Sequence, residues 1–350
     1  MLNRALTVRS GVPAASPRDF HALIDKASQG QFALASINVT STNTANAALA
    51  GFVQAKADGI VQISTGGGEH ASGPAKNMAL GAISLAEHIR LVADQLGVMI
   101  AITTDHCVPG KLNSFVIPLL EYEEKRHTAG QPNLFNGFMF DGSELPLEEN
   151  LEVSLDLLKR MAPLGLVLEV ETGLVGGEED GIDNTGAHRD KLYTSPEDML
   201  CAYETLNAVG RFTLAATFGN VHGVYKPGNV KLTPTILRDG QQAVAAKHGS
   251  AAKLDLVFHG GSGSLLSEIH ETLTYGVVKM NVDTDCQYAF TRPVADHMMK
   301  HYDGVLRVDG EMGDKKTYDP RSYLKKAEGS MAQRVVQACE ELKSAGKSEG

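Results

Sequence analysis

Eight short apolar, β-branched runs recur along this chain, and their rhythm limits its fold more than any other feature. They are FALASIN (32–38), IVQIS (60–64), VMIAIT (98–103), LFNGFMFD (134–141), LVLEVE (166–171), FTLAAT (212–217), LDLVFH (254–259) and GVVKMN (276–281). Between them lie helical patterns such as TANAALAGFVQAKA, NMALGAISLAEHIRLVADQL, NLEVSLDLLKRM, SPEDMLCAYETLNAV and SLLSEIHETLTY. Several open on Ser, Thr or Asn, whose short polar side chains cap helix N-termini. Strands alternating with helices pair in parallel through right-handed crossovers. Eight such units over about 250 residues predict an α/β fold of the (β/α)8 TIM-barrel type, whereas a doubly wound sheet has fewer strands and a Gly-rich fingerprint after its first. No Pro-, Ser- or charge-rich run divides the chain. The expectation is therefore a single barrel domain over 16–350, preceded by an N-terminal extension at 1–15. SPRDFHALIDKASQ (16–29) predicts a helix ahead of the first strand, and a helical C-terminal segment is predicted from about residue 320.

The balance of 32 basic against 42 acidic residues gives a formal charge of -10. That field disfavours nucleic acid or an anionic membrane as the main partner and leaves a small molecule as the expected ligand. No stretch of about 18 apolar residues occurs, and the opening MLNRALTVRSGVPAAS lacks the apolar centre of a signal peptide, so the expected location is the cytoplasm. Cys107, Cys201, Cys286 and Cys339 form no CxxC pair and read as reduced, structural thiols.

Chemistry collects at one end of the predicted strands. Asn38, Ser64, Asp105 with His106, Asp141, Glu171, His222, His259, and Asn281 with Asp283 end these runs or directly follow them. In a barrel these ends converge on one mouth, where active sites form. Polar residues also mark ordinary strand ends, which accounts for two or three of these positions but poorly for three histidines and four acids. His106, His222 and His259, placed on the third, sixth and seventh runs, suit one zinc ion: neutral imidazole binds zinc well, and three protein ligands leave a position for substrate. Asp105, beside one of these, is a candidate acid or base or else a hydrogen-bonding partner that orients an imidazole. Glu169 and Glu171 share one strand face, where a pair of inward carboxylates is costly without a cation. Glu171 with Asp141 makes a second candidate cation site.

Three segments extend the mouth. TGLVGGEEDGIDNTGAHRDKLYTS (172–195) is long, Gly-rich and carries Glu178, Glu179 and Asp180, which suits a mobile lid bearing a catalytic carboxylate, or a solvated acidic loop. HGGSGS (259–264) and NVDT (281–284) follow the seventh and eighth strands, where barrels build phosphate sites from backbone N–H groups and a helix N-terminus. GNVHGVYKPGN (219–229) flanks His222 with glycine and offers Lys226 to a second phosphate.

The motifs TDHC (104–107), GGEEDG (176–181), FGNVHGVYKPGN (218–229), FHGGSGS (258–264) and VVKMNVDTD (277–285) together resemble those of class II fructose-bisphosphate aldolases. The likeness runs from NVTSTNT (38–44) to YDPRSYLKKA (318–327) and is nearest to the subgroup with a long acidic lid. It implies reversible cleavage of fructose 1,6-bisphosphate to dihydroxyacetone phosphate and glyceraldehyde 3-phosphate. By position it implies His106, His222 and His259 as ligands of a catalytic Zn2+, with Asp141 and Glu171 at a second metal position. Asp105 then acts on the C4 hydroxyl and Glu179 on the C3 proton. Gly223, Gly260, Gly261, Ser262, Asn281, Val282, Asp283 and Thr284 surround the dihydroxyacetone phosphate half, and Asn38 is a further substrate contact. Ser64 and Arg321, the latter from a partner subunit, meet the other phosphate. A homodimer or higher homo-oligomer and a monovalent cation complete the expectation. The stretch VPGKLNS after Cys107 and the insert NTGAHRD (184–190) depart from the family pattern, so His188 is not read as a ligand.

The rival readings are a tagatose 1,6-bisphosphate aldolase, a zinc hydrolase on the same barrel, and a non-catalytic binder of phosphosugars. A Schiff-base aldolase needs a lysine nucleophile. Lys279 and Lys226 qualify for it by chain position alone, which leaves the three histidines unexplained.

Overall fold

The computed structural model describes residues 14–173, 176–179, 182–183, 193–222, 231–261, 263–306 and 313–348, with backbone alone at 176–179, 182–183 and 222. The first third runs α1 (Pro17–Gly30), β1 (Leu34–Asn38), α2 (Thr42–Ala55), β2 (Gly59–Ile63), α3 (Thr65–Ala71), α4 (Met78–Ala93), β3 (Ile100–Thr104) and α5 (Val116–Thr128). The middle continues with β4 (Gly137–Asp141), α6 (Leu147–Met161), β5 (Val167–Thr172), β6 (Gly176–Glu179), β7 (Ile182–Asp183), α7 (Pro196–Leu206), β8 (Phe212–Ala216) and β9 (Val221–His222). The last part holds α8 (Thr235–His248), β10 (Leu256–Phe258), α9 (Leu266–Thr274), β11 (Val277–Val282), α10 (Thr284–Lys300), α11 (Tyr302–Val305), α12 (Lys315–Tyr318) and α13 (Pro320–Glu341).

Eight of these strands close a parallel barrel in the order β1-β2-β3-β4-β5-β8-β10-β11 and back to β1. Each overlaps one of the eight runs read from sequence, so the (β/α)8 expectation holds. Helices start where local chemistry places them: Ser16, Ser41 and Ser195 each accept from the third backbone N–H of α1, α2 and α7 in reciprocal capping boxes. Asp319 caps α13 by accepting from Arg321 N, with Pro320 at its first position.

Period-2 alternation turns one face of every strand into the barrel. At the N-terminal end of the strands, Leu34, Ile60, Ala101 and Val167 pack with Phe20, Leu23, Ile24 and Ala27 of α1, which closes that end with an apolar plug. The outward faces meet the helices in the larger core. The C-terminal helix α13 packs on α2 and α10. Gly51 permits that approach, since a Cβ there would stand 2.5 Å from Val335 Cβ. All four cysteines are free thiols, and burial pushes Cys286 and Cys339 up to about 12. Among the described residues no helix is long and apolar enough to cross a membrane.

Two features differ from the sequence reading. His222 does not end the sixth barrel strand, β8, but lies on the separate short strand β9. The acidic segment is not all loop: β6 pairs parallel with β9 and antiparallel with β7. Its glycines pair Gly176 with Val221 and Gly177 with His222, a ladder with no apolar pattern behind it to reveal it from sequence.

Candidate active site

His106 follows β3 and His259 follows β10, so both leave the mouth ends of barrel strands, and both are buried. Their near nitrogens, His106 Nε2 and His259 Nδ1, face each other at 2.9 Å. Two imidazoles on one tetrahedral zinc, at bonds of about 2.0–2.1 Å, hold their nitrogens about 3.3 Å apart, so the pair fits an ion with a shift of a few tenths of an ångström. Their far nitrogens are each held by carboxylate. His106 Nδ1 is 3.0 Å from Asp141 Oδ2 and 3.2 Å from Glu171 Oε2, and His259 Nε2 is 2.8 Å from Glu169 Oε1. A carboxylate behind the ring fixes the tautomer that offers the opposite nitrogen as a lone-pair donor. This arrangement is the one a metal ligand requires.

Asp105 completes the cluster: one carboxylate oxygen, His106 and His259 bring ligand atoms within 4.8 Å of one another. Among the described residues its carboxylate makes no hydrogen bond to an imidazole. Instead Asn38 Nδ2 donates to Oδ2 at 2.7 Å and Asn281 Nδ2 donates to Oδ1 at 3.0 Å. Gln62 donates to Asn38 Oδ1, and Ser36 Oγ donates to Gln62 at 2.5 Å. A chain of hydrogen bonds across β1 and β2 thus aims Asp105 at the space before the two rings. Sequence reading passed over Gln62 and Ser36, although a lone glutamine inside IVQIS was the available signal.

Asp141 and Glu171 meet at His106 and form with it a second group able to hold a cation. Burial works against the charge on Asp141, but His106 and Ser143 hold its carboxyl well below the ordinary range. Burial, and then Asp141 beside it, raise Glu171. Burial also disfavours the His106 imidazolium, yet Glu171, Asp105 and Asp141 outweigh it and raise the ring well above its usual value. Asn281 Oδ1 is buried with no hydrogen-bond partner among the described residues, an acceptor left over at the mouth.

Lys279 is no exposed nucleophile. It is buried, and its Nζ donates to Glu169 Oε2 at 2.6 Å. The cation demanded by the inward carboxylates is therefore a lysine for Glu169, while Glu171 lies 3.2 Å from the His106 ring. Ser64 is the N-cap of α3, its Oγ accepting from Gly67 N at 3.1 Å, which leaves the hydroxyl hydrogen for another partner. Gly260 takes a left-handed φ of 62°, which favours glycine in the turn after His259, while a Cβ on Gly261 would stand 2.0 Å from the Met280 Cε methyl, which would have to move aside. Val282 ends β11, Asp283 is the N-cap of α10 and accepts from Gln287, and Thr284 opens that helix. Arg321 is exposed at the start of α13 and paired with Asp319 at 2.6 Å. The side chains of His222 and Glu179, and all of Gly223, Lys226 and Ser262, lie outside the described residues, as do residues 1–13 and most of the lid, His188 included. The backbone alone puts β6, which carries Glu179, beside His222 on β9.

A family model for "Fructose-bisphosphate aldolase class-II" matches residues 18–347. The chain belongs to the class II fructose-bisphosphate aldolase family. It is 56% identical over 343 residues to the fructose-bisphosphate aldolase of Mycobacterium tuberculosis (strain ATCC 25618 / H37Rv), covering 96% of this chain and 99% of that one. The fructose-bisphosphate aldolase of Corynebacterium glutamicum is 51% identical over 346 residues, with the same coverage. The crystal structure of fructose-bisphosphate aldolase from Campylobacter jejuni superposes with a TM-score of 0.83 at 39% identity, covering 96% of this chain and 97% of that one. This class II aldolase is therefore a lyase of a metal-dependent family, and the two metal-capable groups at its barrel mouth agree with that membership.

Proposed function

We propose that this aldolase reversibly cleaves D-fructose 1,6-bisphosphate to dihydroxyacetone phosphate and D-glyceraldehyde 3-phosphate at a zinc site held by His106, His222 and His259. The observation that carries the reading is the pair of carboxylate-backed imidazoles facing one point 2.9 Å apart, with Asp105 aimed at the same space. A dication bound there supplies Lewis-acid stabilisation of the negative charge that develops on the ketose oxygen. The protein does the rest. Asp105, held by Asn38 and Asn281, takes the proton of the C4 hydroxyl as the C3–C4 bond breaks and its electron pair passes to the enediolate. Glu179 then delivers the proton to C3, a role supported by the pairing of its strand with that of His222.

Gly223, Gly260, Gly261, Ser262 and the turn from Asn281 to Thr284 bind the dihydroxyacetone phosphate half, where backbone N–H groups and the start of α10 favour an anion. Lys226 is available to a phosphate. Ser64 and Arg321 of the partner subunit receive the other phosphate, a reading supported by Arg321 lying exposed on its own chain. Asp141 and Glu171 serve as a second metal position or hold His106 for the first. The same reading takes residues 16–350 as one domain of a cytoplasmic homodimer or higher homo-oligomer, with a monovalent cation to be sought among its requirements.

Metal analysis with a cleavage assay tests this. Zinc near one per chain, loss of turnover on chelation, and no covalent trapping by borohydride are expected. Trapping would return the lysine mechanism, and equal or better turnover of tagatose 1,6-bisphosphate would reassign the substrate. Glu179→Gln is expected to slow proton exchange at C3 of dihydroxyacetone phosphate with metal content intact, and metal loss would move Glu179 among the ligands.

A further inference from the structure

Resting on the metal site just proposed, we infer that Lys279 is a positioning residue for metal capture, acting on His259 through Glu169. The three side chains form one line inside the barrel. Lys279 Nζ donates to Glu169 Oε2 at 2.6 Å, Glu169 Oε1 holds His259 Nε2 at 2.8 Å, and His259 Nδ1 faces the centre of the site. They come from three strands or strand ends: β11, β5 and the turn after β10. All three are buried, so water does not replace any member of the line.

Each link has a distinct task. Glu169 must accept from Nε2–H to keep the proton off Nδ1, the nitrogen that a metal needs unprotonated. A carboxylate has two oxygens and a soft terminal torsion, so one imidazole alone does not fix its plane. The ammonium on the second oxygen fixes that plane and supplies the charge that lets a carboxylate remain ionised in a dry interior. Lys279 itself is held by strand pairing on both sides, with Leu34 of β1 and Val257 of β10 as its register partners, so its Nζ is anchored to rigid sheet and not to a loop. The same strand that positions Lys279 also carries Asn281, which holds Asp105. One strand thereby orients both a ligand and the candidate acid–base group.

The test measures metal affinity of the full-length protein directly, by competition of the metal-free chain with a chromophoric chelator for zinc. It also records the visible spectrum of the cobalt-loaded protein. Lys279→Met is expected to weaken zinc binding by about 10-fold or more, the range seen when support behind a metal ligand is removed, and to shift the cobalt spectrum. Lys279→Gln, which keeps a donor toward Glu169, should recover part of the loss. In a Glu169→Ala background, Lys279→Met should weaken zinc no further. Wild-type affinity and an unchanged cobalt spectrum in Lys279→Met would overturn the inference, as would an equal loss with and without Glu169. Should Lys279→Met not fold, Glu169→Gln reads the same line: unaltered zinc affinity in that variant also overturns it. Failure of the metal reading itself looks different, because the wild-type chain would then retain no zinc.

Discussion

The two ends of the barrel are built from the same strands and behave as opposites. At the N-terminal end, Leu34, Ile60, Ala101 and Val167 meet Phe20, Leu23 and Ile24 of α1 in an apolar plug. A few residues farther along each strand, the same inward face carries Asn38, Gln62, Asp105, Asp141, Glu171 and Asn281, all buried and tied to polar partners. Between them lies a mixed layer, where Lys279 donates to Glu169 and Ser36 donates to Gln62. Dry apolar packing at one end supplies stability. At the other, buried polar groups are costly, and they persist because each meets a partner or a ligand. A barrel strand thus serves both ends only because its position along the axis, and not its composition, decides which task a residue performs.

If that division is real, a change at the mouth must alter turnover while leaving stability nearly as it was. Asp105→Asn is expected to lower kcat by about 10²–10⁴-fold, the usual worth of a positioned acid–base group, with zinc content and melting temperature close to wild type. Loss of metal in that variant would merge acid–base and ligand roles.

The converse change belongs at the plug. Phe20→Ala should cost about 3–5 kcal/mol in chemical denaturation, yet leave kcat per folded molecule unaltered. A drop in kcat would show that the plug also tunes the mouth.

A pH titration sharpens the middle layer. Burial alone would raise Glu169, but Lys279 and His259 hold it at about 2 against an ordinary 4.5. A carboxyl depressed in the folded state stabilises the fold above its unfolded value and loses that contribution as pH falls. The metal-free protein is therefore expected to lose stability progressively as pH drops from about 4.5 toward 2, and Glu169→Gln should flatten that slope in thermal melts. An unchanged slope in the variant would mean that other carboxylates, Asp141 foremost, carry the acid sensitivity.

The smallest expected effect is at the edge of the plug. Ser16 accepts from Asp19 N at the start of α1, so Ser16→Ala should cost about 1 kcal/mol with turnover unchanged.

Much of this division was legible in the chain. Period-2 runs, capping serines and turn glycines act over a few residues, so eight strands, α1 and α13 could be read directly. His106, His259 and Asp105 were legible because each breaks an apolar run where a barrel opens. His222 could be named from sequence as a candidate but not placed on β9, since a two-residue strand has no period to read.

What the sequence determined by itself is the order of elements, the mouth and the residue types gathered there, because those follow from local periodicity and from one topological rule. Only the tertiary structure decided which nitrogens of His106 and His259 face the site, and that two asparagines hold Asp105. It also decided that Lys279 answers Glu169 across 110 residues of chain. Those are pairings between strands far apart in sequence, set by barrel closure and register. No local propensity encodes them.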